Sequence, residues 1–257
     1  MDPTARFCEL VASPAARLDE GAFLIAAHSH ELDLVVQLGR LDDLADGFVG
    51  ATVVDLCRYL FVDLAFGGNR GDYYDPRNSF LDDVLDRRLG IPLTLSIVAI
   101  EVGRRVGVPL IGIGMPGHFL VCDAQDPAGF CDPFAEGMAL DRAGLEARFR
   151  QVHGPGARLR PVDLMPVSPV DMLARMLANL HRIYLENSDQ SNLVWVLRLR
   201  ACLPGADPSI RRQLAGVLAE RGRFWEAAVE LDQLAVAQPE QADAHRHAAD
   251  RLRARLN

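Results

Sequence analysis

The chain contains no lysine; all 27 of its basic residues are arginine. Lysine Schiff-base chemistry and Walker-type phosphate binding both require an ε-amine, so both are excluded. Cysteine is scarce too. The five that occur (Cys8, Cys57, Cys122, Cys131 and Cys202) are scattered, odd in number and without a Cys-x-x-Cys pair. That pattern argues against a disulfide framework and a thiolate zinc site, and predicts reduced, core-filling thiols in a cytoplasmic protein. No apolar run approaches the roughly 18 residues needed to span a bilayer. The opening MDPTARFCEL does not read as a secretory leader, so no membrane association is expected.

What is present describes a globular chain. Of 257 residues, 49% are apolar and 24% charged, which argues against disorder and coiled coil and leaves room for one large domain or two modest ones. The charge is uneven: residues 1–141 hold 10 Arg against 22 Asp and Glu, a net −12, whereas residues 142–257 hold 17 Arg against 13, a net +4. An acidic front half repels phosphate backbones, so no nucleic-acid partner is expected there. The arginines of the rear half read as solvated helix faces.

Apolar spacing predicts helices over the first 65 or so residues, broken at Gly67-Gly68 and followed by the polar loop NRGDYYDPRNS. Asn78 or Ser79 is expected to cap a short helix closed by Gly90. Pro92 suits the first turn of the next helix, Leu93 to Val106, which is apolar nearly all round and therefore buried. Three strands follow at 110–115, 118–122 and 130–132, the last two joined by a turn containing Asp126-Pro127 and Gly129. A helix is expected over 137–153. From Pro169 onward only helices are predicted, at 169–187, 190–202, 208–221, 224–237 and 240–256. Pro204 and Pro239 lie 35 residues apart, and small Ala227 and Ala228 fall between them, a pattern that fits a tetratricopeptide-like hairpin. The fold class is therefore α+β followed by an all-α tail, with domains at 1–165 and 166–257.

The chemistry concentrates between Tyr73 and Gly137, in YYDPRNSFLDDVL, RRLGIPLTLS, GVPLIGIGMPGHFLVC and CDPFAEG. His118 opens one strand and Asp132 closes its hairpin partner. If residues 121 and 129 face each other, His118 lies directly opposite Asp132; with a slip of two, the pair become diagonal neighbours on one face. Either way a carboxylate can orient the imidazole, as a general base requires, or the pair can simply tie two strands together.

GIPLTLS, GVPL, PGHFLV and DPF, in that order and spacing, resemble the SirB-type branch of the transglutaminase-like superfamily, over roughly residues 20–150 and more loosely from Leu180 onward. The resemblance implies a transglutaminase/cysteine-protease-like core joined to a tetratricopeptide-like tail. In catalytic members a cysteine at the N-terminus of the buried helix, with His and Asp on adjacent strands, attacks an amide or ester carbonyl. The His maps onto His118, the Asp onto Asp132, and the cysteine onto the first turn within Pro92–Thr94, where no cysteine stands. The usual thiol mechanism therefore does not carry over.

Thr94 is the hydroxyl that could replace the thiol, with Ser96 two residues on; both are otherwise read as bonding local backbone. Cys122, on the His118 face of its strand, and Cys131 read as core residues. Tyr74, Asp75, Asn78, Pro92 and Ser96 are candidates to line a groove beside the site, with Tyr73 and Arg77 close by. His28 and His30 do not share a helix face, nor do His245 and His247, so no metal site is expected, and no cofactor is implied. Asp82, Asp83 and Asp86 read as a solvated face. Two readings result. One is a pseudoenzyme that binds a peptide or protein partner. The other is an amide or ester hydrolase or acyltransferase using His118, Asp132 and Thr94. Oligomeric state is left open.

Overall fold

The computed structural model describes residues 2–125 and 129–256. Two compact units are present: residues 16–176 form one, and the segment up to Ala15 joins residues from Leu177 onward in the other. The division inferred from the proline cluster lay at 165/166. The compact unit runs on to Met176, and the N-terminal segment belongs with the tail, a pairing that no local pattern marks.

Helix α1 (Pro3–Ala12) opens the chain, capped by the Asp2 carboxylate, which accepts from the Ala5 N–H. In the unit of residues 16–176, α2 (Leu18–Ala26), α3 (Leu34–Asp46) and α4 (Val53–Arg58) follow, and α4 continues as a π-helical turn over Tyr59–Asp63. Then come β1 (Gly67–Gly68), α5 (Leu81–Arg87), β2 (Leu89–Gly90) and α6 (Pro92–Val106). Strands β3 (Leu110–Ile113), β4 (Leu120–Asp123), β5 (Phe130–Asp132) and β6 (Met138–Leu140), helix α7 (Arg142–His153) and strand β7 (Pro166–Val167) complete it, and the division between the units falls within α8 (Pro169–Glu186). The five-stranded antiparallel sheet has the order β6-β5-β4-β3-β7, and β1 pairs parallel with β2.

Helix α6 is buried as its all-round apolar sequence requires. Pro92 starts it and Gly107, at φ 76°, ends it. It packs on α2, α3, α4, α5, β3 and β4. The opposite face of the sheet, through Ile113, Leu120 and Cys122, packs on Leu145 and Phe149 of α7. With both faces covered, the first three residues of β4, Leu120, Val121 and Cys122, are all buried.

Gly103 sits where α6 meets the turn into β3. A Cβ there would lie 2.5 Å from the Val108 carbonyl oxygen and 3.1 Å from a Leu56 methyl. Because the first obstacle is backbone, Gly103→Ala is expected to cost about 1–3 kcal/mol, read as a lower urea midpoint at unchanged slope. A midpoint equal to wild type would show that the turn yields freely.

A second buried feature of α6 is ionic. Asp19 of α2 is fully buried and takes Arg17, Arg104 and Arg105 at 2.9, 3.1 and 2.8 Å. Glu101, also buried, takes Arg104 and Arg105 at 2.9 and 3.0 Å, and Arg105 also reaches Asp42.

Several expectations change. Helix α5 is not capped by Asn78 or Ser79, since both lie in a 3-10 turn (Pro76–Ser79) capped by Asp75; Phe80 stands at the cap position. Nor does Gly90 close α5: Arg88 does so in the left-handed region (φ 54°), while Gly90 pairs in β2. Within 137–153 the strand β6 comes first, and α7 starts only after Asp141, whose carboxylate accepts from the Gly144 N–H. The proposed turn residues Asp126-Pro127 lie outside the described residues.

In the other unit, α9 (Gln190–Cys202), α10 (Pro208–Glu220), α11 (Phe224–Ala237) and α12 (Ala242–Arg253) match the expected helices within three residues. Ala227 and Ala228 are fully buried. Helix α1 packs on α9. The expectation of five reduced cysteines is corrected: Cys8 and Cys202 form a disulfide, leaving Cys57, Cys122 and Cys131 free and buried. Among the described residues no helix is long and apolar enough to cross a membrane.

Candidate functional site

The strand register settles the His–Asp geometry. Val121 faces Cys131 and Cys122 faces Phe130, so His118 and Asp132 are diagonal neighbours, the second of the two arrangements considered. His118 stands in the turn just before β4, with its N–H donating to the Met115 carbonyl at 2.8 Å. Its Nε2 lies 2.8 Å from Asp132 Oδ2. The ring N–H is not in line with that oxygen, so the contact is a close charge approach without a well-formed hydrogen bond.

Asp132 is fully buried. It lies on the face of Phe130, the one that packs on α7, and α7 reaches it: Arg148 Nη2 donates to the same Oδ2 at 2.9 Å. Oδ1 accepts from the N–H groups of Phe134 and Ala135 at 3.1 and 3.2 Å, capping the 3-10 turn Pro133–Ala135. Burial pushes the carboxyl up, but His118, Arg148 and the Ala135 N–H outweigh it and hold the group below the usual carboxylate range. Sequence reading missed Arg148; lying among several arginines of one helix, it carries no distinguishing signal.

At the start of α6 the hydroxyls are spent on backbone. Thr94 Oγ1 donates to the Asn78 carbonyl at 2.7 Å and accepts from the Ile91 N–H at 3.2 Å; Ser96 Oγ donates to the Pro92 carbonyl at 2.8 Å. Both residues, and Pro92, are buried. Asn78 is the hub that joins this turn to the preceding loop. Its amide donates to the Asp72 and Tyr73 carbonyls at 2.7 and 3.2 Å, and its Oδ1 accepts from Asn69 and Arg87 at 3.0 and 3.3 Å. Buried Asp75 takes Arg77 at 2.8 Å and Arg87 at 3.3 Å. These two outweigh its burial and keep its carboxyl low.

Tyr74 is exposed and meets Tyr73 edge-on, centroids 5.3 Å apart. Tyr73 in turn meets the Phe134 ring at 6.0 Å, and Phe134 meets His118 at 6.3 Å, both edge-on. Arg70 stacks over the same ring at 5.7 Å. Gly68 closes the arrangement: a Cβ there would strike the Phe134 ring at 2.4 Å. The structure thus gathers His118, Asp132, Phe134 and Arg148 at one end of the sheet, beside the aromatic loop. Thr94, Ser96, Pro92 and Asn78 form an internally bonded turn, joined to this group through the Asn78–Tyr73 hydrogen bond and the Tyr73–Phe134 ring contact.

Cys122 and Cys131 are poor nucleophiles. Burial pushes the Cys122 thiol up to about 11, and the hydrogen bond with Cys57 together with burial pushes Cys131 higher still. Asp82 is not a solvated residue: it is buried and pairs with His30. Among the described residues no group of three or more His, Cys, Asp or Glu is placed to hold a metal ion.

Residues 27–178 match the model of the transglutaminase-like superfamily. A UPF0162 protein of Xylella fastidiosa (strain Temecula1) is 44% identical over 137 residues, covering 52% of this chain and 48% of the relative. A UPF0162 protein of Pseudomonas aeruginosa is 33% identical over 196 residues, covering 72% and 71%. The F-box only protein 21 of Homo sapiens is 31% identical over 163 residues, covering 60% of this chain but 25% of that protein. The matched stretch is about half the length of the Xylella relatives. No solved structure matches. With more than half of its residues within the family match and bacterial relatives aligned across much of its length, the chain belongs to the transglutaminase-like superfamily.

Proposed function

We propose that this is a non-catalytic member of the superfamily, of the SirB-type branch and with a tetratricopeptide-like tail, whose surface beside His118 holds a peptide or protein segment. The observation that carries this reading is the start of α6. No cysteine stands there, and both hydroxyls donate to backbone carbonyls instead of facing a base. The sharing of Asp132 Oδ2 between His118 and Arg148 adds support, since the carboxylate is committed to a guanidinium and to two backbone N–H groups as a structural anchor. Exposed Tyr74, with Tyr73 and the Arg70–Phe134 stack, supplies aromatic and cationic contacts of the kind that peptides use.

The test is intact-mass analysis after exposure to iodoacetamide and to a hydroxyl-directed fluorophosphonate, on wild type, His118→Ala and Thr94→Ala. Only slow thiol labelling, indifferent to His118→Ala, is expected. Rapid labelling at a single site that vanishes in His118→Ala would overturn the proposal in favour of an amide or ester hydrolase or acyltransferase, and loss of the adduct in Thr94→Ala would identify the nucleophile.

A further inference from the structure

The helical unit carries a cavity of about 650 Å³ that the His118 site does not involve. Three of its ten lining residues are arginines and the others are Ala, Gly or Leu; none is acidic. Helix α10 contributes Arg212, Ala215, Gly216 and Ala219, which lie on one stripe at helical spacing. Ala248, Arg251 and Leu252 form the matching stripe of α12, which Arg255 continues. Both helices pack on α11, whose Leu231 forms the floor between them.

The cations stand at the two ends of this groove. Arg212 reaches Gln238 at 3.4 Å, beside the C-terminus of α11. Arg255 stacks over Phe224 at 4.8 Å, at the N-terminus of the same helix, and Arg251 is one turn from Arg255. The 14 residues of α11 between those ends correspond to about 21 Å. The middle is floored by small side chains, and the space where a Gly216 Cβ would project is open. An apolar trough with arginines at both ends, Arg212 within reach of the Asp207 charge and none of the lining residues acidic, calls for an occupant that is apolar along one side and negative at both ends. A single-headed amphiphile satisfies one end only. Small floor residues also let a helix axis approach closely.

We propose that the groove between α10 and α12 receives an acidic amphipathic helix of a partner protein. The proposal is independent of the reading of the His118 site. The occupant spans about four turns, lays Leu and Ala into the trough, and presents Asp or Glu to Arg212 at one end and to Arg251 and Arg255 at the other.

The test is fluorescence anisotropy with the full chain and a labelled helical peptide of about 16 residues, carrying Leu and Ala on one face and Glu at both ends. A peptide with Lys in place of Glu and a scrambled Glu peptide serve as controls. Wild type should bind the Glu peptide alone, and added salt should weaken the complex. Arg251→Glu combined with Arg255→Glu should weaken that binding roughly tenfold or more and transfer preference to the Lys peptide. Gly216→Leu should block both peptides while circular dichroism and Tm stay as in wild type. Failure of wild type to bind the Glu peptide, equal binding of the scrambled peptide, or indifference to the double charge reversal would each overturn the proposal. Complete displacement by dodecanoate at one equivalent would assign the groove to a lipid-like anion instead. A wild-type dimer in sedimentation equilibrium that Arg251→Glu dissociates would assign it to a second copy.

Discussion

Asp19→Ala lowers the unfolding free energy by about 2–3 kcal/mol at pH 7, the loss of a buried carboxylate's charge-assisted hydrogen bonds. Asp19 is fully buried, and of its three arginines Arg17 and Arg104 are about half exposed, while Arg105, with only 10% of its side chain exposed, keeps Glu101 and Asp42 as partners. The same site fixes a pH dependence. Burial drives the Asp19 carboxyl up, but Arg17, Arg105 and the Glu20 N–H outweigh it and bring it to about 2. Its folded-state value is therefore below the unfolded value of about 3.9, so the stabilisation is present above pH 4 and is lost as pH falls toward 2, about 2–3 kcal/mol in all. Glu101 behaves in the opposite sense. Burial and the neighbouring Asp19 push its carboxyl up, so its contribution is complete below its unfolded value, near 4.3, and declines as pH rises through the folded one. Glu101→Gln should then cost far less than Asp19→Ala at pH 7. Urea unfolding of both variants and wild type at pH 7 and pH 3 checks this. An Asp19→Ala midpoint equal to wild type at pH 7, or equal losses in the two variants, would sink the account.

Asp132→Ala is the second large effect, an expected loss of about 2–4 kcal/mol. Three donors converge on this buried carboxylate, Arg148 and two backbone N–H groups of the turn that carries Phe134, and the His118 ring lies 2.8 Å away. Asp132→Asn keeps an acceptor for the two N–H groups and gives up the charge, so it should lose about half as much. A double-mutant cycle with Arg148→Ala should return a coupling of about 1–3 kcal/mol, because the two side chains are in direct contact. Asp132→Ala with an unchanged melting temperature would mean that the carboxylate is not a structural anchor and would return attention to a chemical role.

The long periodic elements were legible. α6 and α8 to α12 carry apolar spacing, with starting prolines at α6, α8 and α10 and Gly107 after α6, strong enough to fix their limits within three residues. The order of strand, turn and strand that brings His118 to Asp132 was legible as well, though the choice between facing and diagonal pairing was not. That register depends on a turn whose middle residues show no periodic pattern. Strands β6 and β7, of three and two residues, are too short to alternate visibly. Arg148, the Asn78 hub and the Thr94–Asn78 bond were hidden for a different reason. Each is defined by a partner distant in sequence or by a backbone carbonyl, and one sequence does not assign such partners. The Cys8–Cys202 bond, spanning 194 residues, is an extreme case. Thin scatter along the chain says nothing about closeness in space.

That bond and the division of the chain bear on how the molecule is made. Synthesis runs from the N-terminus, so α1 leaves the ribosome well before its companions α9 to α12 are made. Residues 16–176 can collapse around α6 while Phe7 and Val11, fully buried in the finished molecule, still wait uncovered. A helix made early thus finds its place late, and the nascent chain must shield an apolar stripe while the intervening 16–176 unit is made.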